Sequence, residues 1–291
     1  MTPENMALAR SRTYGFVGEV LLDGWTARAV DVAASLPIGR SLPPDADRRA
    51  VEHQRVFGRS APPYESVFCS LDGLMGGATA AAVRTTYSEI GFAGLRPDVE
   101  PDHAGLQCLA LSFLCAAEAD ARRDGVSRPD LAEHQQQLLK RHLARWAHLL
   151  HLAVQSQGSE SCTELCALLV DLVEDHSGLH PEAHDEPDLL ANPQVGIRQI
   201  CSYLLTPARC GVWWGAADLQ RLADQADLAC GFGRRQQMME SLWFSAIDHQ
   251  VVPRLVDVLV GDVQRWCREG DPRPERTSTI LHHMGKATIP A

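Results

Sequence analysis

Glu100-Pro101-Asp102-His103-Ala104-Gly105-Leu106-Gln107-Cys108-Leu109 opens the stretch on which the fold turns. A proline-fixed loop passes directly into a pattern in which Leu106, Leu109 and Phe113 repeat, joined by Leu114 and Ala117, toward Gly125. Apolar residues at three- and four-residue intervals make one stripe of a helix, so the segment reads as a core helix beginning at Ala104. Asp102 stands where a side-chain oxygen satisfies an orphan N–H of the first turn, and is the expected cap.

Outward from this helix nearly every segment has the same period. Thr2 reads as an N-cap with Pro3 at the first helical position, and Tyr14, Val17 and Leu21 recur on one face. A helix from about Asp45 carries Val51, brings Val56 and Phe57 near its end and stops at Gly58. Residues 79–90 place Val83, Tyr87 and Ile90 on one side, with Gly91 as a left-handed cap. Ser127-Arg128-Pro129-Asp130 resembles a capping box that opens one long helix carrying Leu139, Leu143, Trp146, Leu150 and Val154. Ser161-Cys162-Thr163-Glu164 is a fuller box, leading through Leu165, Leu168, Leu169 and Leu172 to Gly178. His180 to Pro193 is a linker rich in Pro, Asp and Glu; further helices are predicted over 197–205, 216–229 and 234–268, with Pro253 starting or kinking the last. Asp271-Pro272-Arg273-Pro274 opens a tail whose composition suggests local mobility. No strand alternation or hairpin signal competes, and an all-α bundle follows.

The chain has 291 residues, 45% of them apolar, which is ample for a real core. Its net charge of −10 argues against nucleic acid and anionic membrane surfaces, both of which demand basic patches. Between Arg145 and Arg198 there is no lysine or arginine, while Glu160, Glu164, Asp171, Glu174, Asp175, Glu182, Asp185, Glu186 and Asp188 all fall there. That block is either a solvated helix face with an acidic linker or a field that attracts a cationic peptide. The start lacks a basic segment followed by an apolar one, and no window reads as a membrane span, so a cytoplasmic location is expected. Nine cysteines, none spaced Cys-x-x-Cys, read as reduced and buried.

Chemistry-bearing groups are sparse. His103 beside Asp102 could be a general base with its orienting carboxylate, but no Gly-x-Ser-x-Gly elbow accompanies them. His148 and His151, three apart, could face one metal, yet neither sits in a Glu-x-x-His arrangement. Gly73 to Thr79 lacks the Lys-Ser/Thr of a phosphate loop, and Gly231-Phe232-Gly233 lacks the third glycine of a dinucleotide site. Pro62-Pro63 stiffens the chain beside Tyr64 and Phe68, which with Val56 and Phe57 either pack in the core or line a groove for an apolar helix.

Several of these pieces occur in one order. Ala9-Arg10 with Tyr14-Gly15-Phe16-Val17, His53-Gln54-Arg55-Val56-Phe57, Pro62-Pro63-Tyr64, Ser66-Val67-Phe68, Glu100-Pro101-Asp102-His103, Arg141-His142-Leu143 and Trp146 resemble the TorD/DmsD/NarJ family of molybdoenzyme chaperones over roughly the first three-fifths of the chain. The sequence departs from the family at His53, where an aromatic residue is frequent, and at Val56, where leucine is. The resemblance implies a TorD-like helical domain over 1–180, the acidic linker at 181–193, a C-terminal helical extension over 194–270 and the tail at 271–291. It implies a non-enzymatic, cofactor-free and metal-free protein, a monomer or weak homodimer. Such a protein binds the twin-arginine leader or apo form of a molybdopterin oxidoreductase catalytic subunit. The expected peptide-binding residues are Arg10, His53, Val56, Phe57, Pro63, Tyr64, Phe68, Glu100, Pro101, Asp102 and His103. The alternatives are a helical enzyme or metal protein using His103 or His148/His151, and a stable assembly subunit of the oxidoreductase.

Overall fold

Thr2 begins the first helix as its sequence dictates: the Thr2 hydroxyl accepts from Asn5 N at 3.2 Å, Pro3 occupies the first turn, and α1 (Pro3–Asp23) ends at Gly24, whose φ of +73° favours glycine. The computed structural model describes residues 2–71, 73–178, 196–267 and 271–286. Every regular element among them is helical, and the fold is all-α as expected. Two compact units result: Met1–Val67 with Leu74–Glu182, and Phe68–Gly73 with Ala183–Ala291.

In the first unit α2 (Ala27–Ala33), α3 (Ala46–Arg55), α4 (Glu65–Cys69), α5 (Gly77–Glu89), α6 (Ala104–Arg123), α7 (Pro129–Arg141), α8 (Ala147–Gln155) and α9 (Glu160–Ser177) follow α1. Its central feature is the antiparallel contact of α1 with α6, made close by small residues. A Cβ on Gly18 would lie 2.9 Å from Gly105 O, and one on Gly105 would lie 2.9 Å from Gly18 O and 2.6 Å from the Leu22 side chain. Further along, the Ser112 hydroxyl donates to Ser11 O at 2.8 Å. Around this pair Val17, Val20, Leu106, Leu111, Leu114, Leu138, Trp146 and Leu165 are buried.

Several expectations are corrected here. The helix from Asp45 carries past Gly58 as a π turn over Val56–Ser60, and Val51 is 68% exposed. On α6 the buried face is broader than the Leu106-Leu109-Phe113 stripe: Cys108, Ala110 and Cys115 are enclosed, whereas Phe113 is 45% exposed. α6 is also long and apolar enough to cross a membrane by length and composition, with 56% of that window buried. Arg128, not Ser127, stands at the cap of α7, with no side-chain cap bond. The long helix predicted through Val154 breaks at His142 (φ −128°, ψ −91°), passes a 3-10 turn at Leu143–Arg145 and resumes as α8. The His142 ring has buried partners on other segments, and reaching them overrides helix continuity. α9 is capped two residues early, by the Ser159 hydroxyl accepting from Cys162 N at 3.3 Å, and ends at left-handed Gly178.

The second unit contains α10 (Ile197–Leu204), α11 (Pro207–Cys210), α12 (Ala216–Ala226), α13 (Arg235–Asp248), α14 (Val252–Val263) and α15 (Arg273–Lys286). Leu204, Leu219, Leu222, Leu242, Trp243, Leu255, Leu259 and Leu281 are fully buried in its core. α12 stops at Ala226 because Asp227 turns left-handed at φ +56°. The expected tail differs most: residues 273–286 form α15, whose Ile280, Leu281 and Met284 are buried in the core cluster. Segment 68–73 belongs to this unit. Phe68 stacks on Trp213 at 4.8 Å, Arg235 lies over the same ring at 4.2 Å, and Ser202 Oγ and Thr206 Oγ1 donate to Leu71 O and Ser70 O. Burial pushes the Arg235 guanidinium down to about 10. The Trp214 ring N–H donates to the buried Asp262 carboxylate at 2.7 Å, and Arg221 and Arg265 reach the same carboxylate at 2.9 Å each. The linker 181–193 lies outside the described residues.

Candidate functional site

In the first unit the two proline-containing motifs are joined backbone to backbone. Residues 62–66 lie antiparallel to residues 100–104: Glu65 N donates to Asp102 O at 3.0 Å and Ala104 N to Pro63 O at 2.8 Å, with a single bridge between Tyr64 and His103. The Tyr64 ring meets the His103 ring edge-on at 4.8 Å. Each proline lacks an N–H and enters only as an acceptor: Pro63 O takes part in the pairing, and Pro101 O accepts from the Tyr87 hydroxyl at 3.0 Å.

The expected cap of α6, Asp102, gives way to its neighbour. His103 caps α6, its Nδ1 accepting from Gly105 N at 3.0 Å. Asp102 serves the other segment instead, its Oδ2 accepting from Ser66 N at 2.9 Å. The correction follows from the antiparallel pairing, which brings Ser66 N to the carboxylate. Burial raises the Asp102 carboxyl above its usual value, and the Ser66 bonds oppose that rise. Burial lowers the His103 imidazole to about 3, helped by the charges of His53 and Arg96. No Asp102–His103 hydrogen bond forms, since Oδ2 is on Ser66 and Oδ1 has no partner, so the pair is not a base with its orienting carboxylate.

Behind the loop lies a buried polar network. Glu65 accepts from Gln107 Nε2 at 2.8 Å and faces His142 Nδ1 at 3.1 Å, while His142 Nε2 meets the Thr86 hydroxyl at 2.9 Å. Glu65, Thr86, Gln107 and His142 are all buried, so these bonds fix the loop from four elements in a low-dielectric setting. Glu65, Gln107 and Thr86 were not singled out by sequence reasoning. The available signal was a carboxylate at Glu65 inside an otherwise apolar, proline-led segment.

The remaining predicted residues divide by exposure. Val56 (0%), Phe57 (4%) and Phe68 (0%) are core residues, Pro63 and Pro101 are buried, and Phe68 belongs to the second unit. These side chains therefore do not form the wall of an open cleft, because packing against their own unit already encloses them. His53 is held by Val20 O at 2.8 Å, packs on Phe57 at 5.1 Å, and is lowered by burial. Arg10 pairs with Asp175 at 2.9 Å, away from the loop on the α1–α9 contact. Accessible at the loop are half-buried Tyr64, whose phenol is raised by burial and by Asp102, Glu100 and Asp98, and exposed Glu100. Beside them opens a groove of about 360 Å³ lined by Arg84 and residues 95–97 and 99–101.

Of the acidic block, Asp175 pairs with Arg10, Glu164 accepts from the Ser41 hydroxyl at 2.5 Å, and Glu160 and Asp171 are exposed; residues 182–188 lie outside the described part. Seven of the nine cysteines are buried, and burial pushes the Cys162 thiol up to about 11 and Cys115 to about 12, which removes them as nucleophiles. Among the described residues no group of three or more His, Cys, Asp or Glu side chains could hold a metal, and His148 and His151 belong to no such group.

Comparison with known families gives a match to the nitrate reductase delta subunit model over residues 26–151, an interval that contains both paired motifs, the Glu65–His142 network and the groove. No curated protein and no solved structure matches the chain. Residues 26–151 of this chain are thus similar to the nitrate reductase delta subunit family, which supports a likeness to the NarJ/TorD-type maturation chaperones.

Proposed function

We propose that this protein is a cytoplasmic, non-enzymatic chaperone that binds the twin-arginine leader, the apo form, or both, of a molybdopterin oxidoreductase catalytic subunit. By holding the leader it delays export, and by holding the unfilled enzyme it keeps the cofactor cavity accessible until insertion. The observation that carries the reading is the family match, which spans both motifs joined at the Pro62–Ser66 and Glu100–Ala104 pairing. The local chemistry is consistent with holding alone: the imidazole is committed to a helix cap, the buried thiols are protonated, and a rigid rim stands beside an open groove. A leader would approach this rim, its arginines seeking Glu100.

Titration calorimetry with a synthetic twin-arginine leader and with the apo catalytic subunit tests this. Binding is expected to at least one of them, weakened by about 1 kcal/mol or more in Tyr64→Ala and Glu100→Ala. Absence of heat with both ligands contradicts the reading. The family description names a subunit, which favours a second possibility: a protein that stays with its oxidoreductase. Co-purification with the mature, leader-free enzyme distinguishes that stable partner from a transient one.

A further inference from the structure

The groove beside Glu100 has a charge balance unlike that of the whole chain. Its walls are apolar or stiff, with Leu95, Pro97, Val99 and Pro101 contributing, and Leu95 is 42% exposed. Three charged side chains also line it, and Arg96 already has a charged partner. Arg96 makes a two-pronged bond to the Asp23 carboxylate at 2.6 and 2.8 Å. Glu100 lies over Gly76, where a Cβ would come within 3.4 Å of its carboxyl carbon; Gly76 is the N-cap of α5, so the carboxylate sits near the positive end of that thirteen-residue helix without a cap bond to it. Arg84, on α5 and exposed, has no side-chain hydrogen bond or ion pair among the described residues. On a chain of net charge −10, the cation of this groove that has no ion pair among the described residues is thus a guanidinium next to apolar walls.

We infer that this groove takes a peptide segment with an apolar side chain beside a carboxylate, the apolar group against Leu95 and Val99 and the carboxylate on Arg84. The inference rests on the reading of the protein as a holder of another polypeptide, and it specifies a second epitope opposite in charge to the leader's arginines. Arg84 suits the task because its planar fork takes both carboxylate oxygens.

The test uses the full chain and two labelled hexapeptides, Gly-Leu-Leu-Glu-Leu-Gly and its Lys counterpart, followed by fluorescence anisotropy, with a twin-arginine leader in a parallel arm. The acidic peptide is expected to bind about tenfold more tightly than the Lys peptide, a preference that shrinks as salt rises. Arg84→Gln removes the preference, Arg84→Glu reverses it, and Leu95→Asp weakens both peptides; circular dichroism confirms that each variant is folded. Equal binding of the two peptides, binding of neither, or a preference unchanged in Arg84→Glu overturns the inference. Leader binding together with indifference to the peptide pair overturns this inference and leaves the chaperone reading standing. Arg84-dependent selection with neither leader nor apo enzyme bound keeps the groove and removes the chaperone reading.

Discussion

His103 and His176 show how burial, more than neighbouring charge, sets the chemistry of single residues in the first unit. Both imidazoles are buried and neutral in the fold, His103 lowered to about 3 and His176 to about 4, with burial the largest cause in each. His176 is held by the Tyr14 hydroxyl at 3.2 Å and by Gln135 Oε1 at 2.8 Å. An unfolded histidine titrates near 6.5, so between that value and the folded ones the unfolded chain binds more protons than the native chain, and stability falls as pH falls. Asp102 works in the opposite sense: its carboxyl is raised by burial, so its contribution is present at low pH and is lost as pH rises through its folded value. With His53 also lowered by burial, three histidines act from pH 6.5 downward, and the unfolding midpoint of the first unit is expected to drop steadily between pH 6.5 and 4. In His176→Gln the drop is shallower. Thermal unfolding followed at several pH values checks this, and a midpoint flat over that range contradicts it.

Among elements, the α1–α6 pair shows how much depends on side chains that are absent. A methyl group at Gly105 would meet Gly18 O at 2.9 Å and Leu22 at 2.6 Å, and the backbone oxygen cannot yield without separating the helices. Gly105→Ala gains helix propensity of about 1 kcal/mol but overpacks the contact, and a net loss of about 1–3 kcal/mol is expected. Gly261, in α14, provides the control: nothing lies within 4 Å of its added Cβ, and Gly261→Ala is expected to stabilise by about 0.5–1 kcal/mol. Urea unfolding of the two variants should therefore shift in opposite directions. Helix existence was legible from apolar period and glycine stops, as at Gly91 and Gly178. The break at His142 was not, because periodicity continues through Leu143, Trp146 and Leu150, and the ring's partners Glu65 and Thr86 are remote in sequence.

At the scale of the whole molecule, each unit has its own core, and α15 is the test case for the second. Composition around Asp271-Pro272-Arg273-Pro274 suggests a mobile tail, but Leu281 is fully buried and Tyr203 bonds Thr277 at 3.0 Å. Leu281→Ala is therefore expected to cost the second unit about 2–5 kcal/mol, whereas a residue in a free tail would cost less than about 0.5 kcal/mol. Chemical denaturation followed by tryptophan fluorescence separates the two, since Trp213, Trp214 and Trp243 lie in that unit. Of the candidate site, the motifs at 62–68 and 100–103 were legible as segments. Their division of labour was not: Val56, Phe57 and Phe68 carry the aromatic and branched character of a groove wall, yet the same character suits a core.

The sequence alone determined what local physics can encode: an all-helical chain, most helix starts and stops, a buried cysteine set, and two proline-fixed motifs in a recognisable order. Tertiary structure decided which group meets which. Antiparallel pairing of residues 62–66 with 100–104 gave Asp102 to Ser66 and left His103 to cap α6; α5 and the loop before Glu100 shaped the groove and left Arg84 with no ion pair among the described residues; a shared apolar core drew α15 out of a polar tail. These outcomes depend on contacts between residues tens of positions apart, whose geometry no local period or propensity contains.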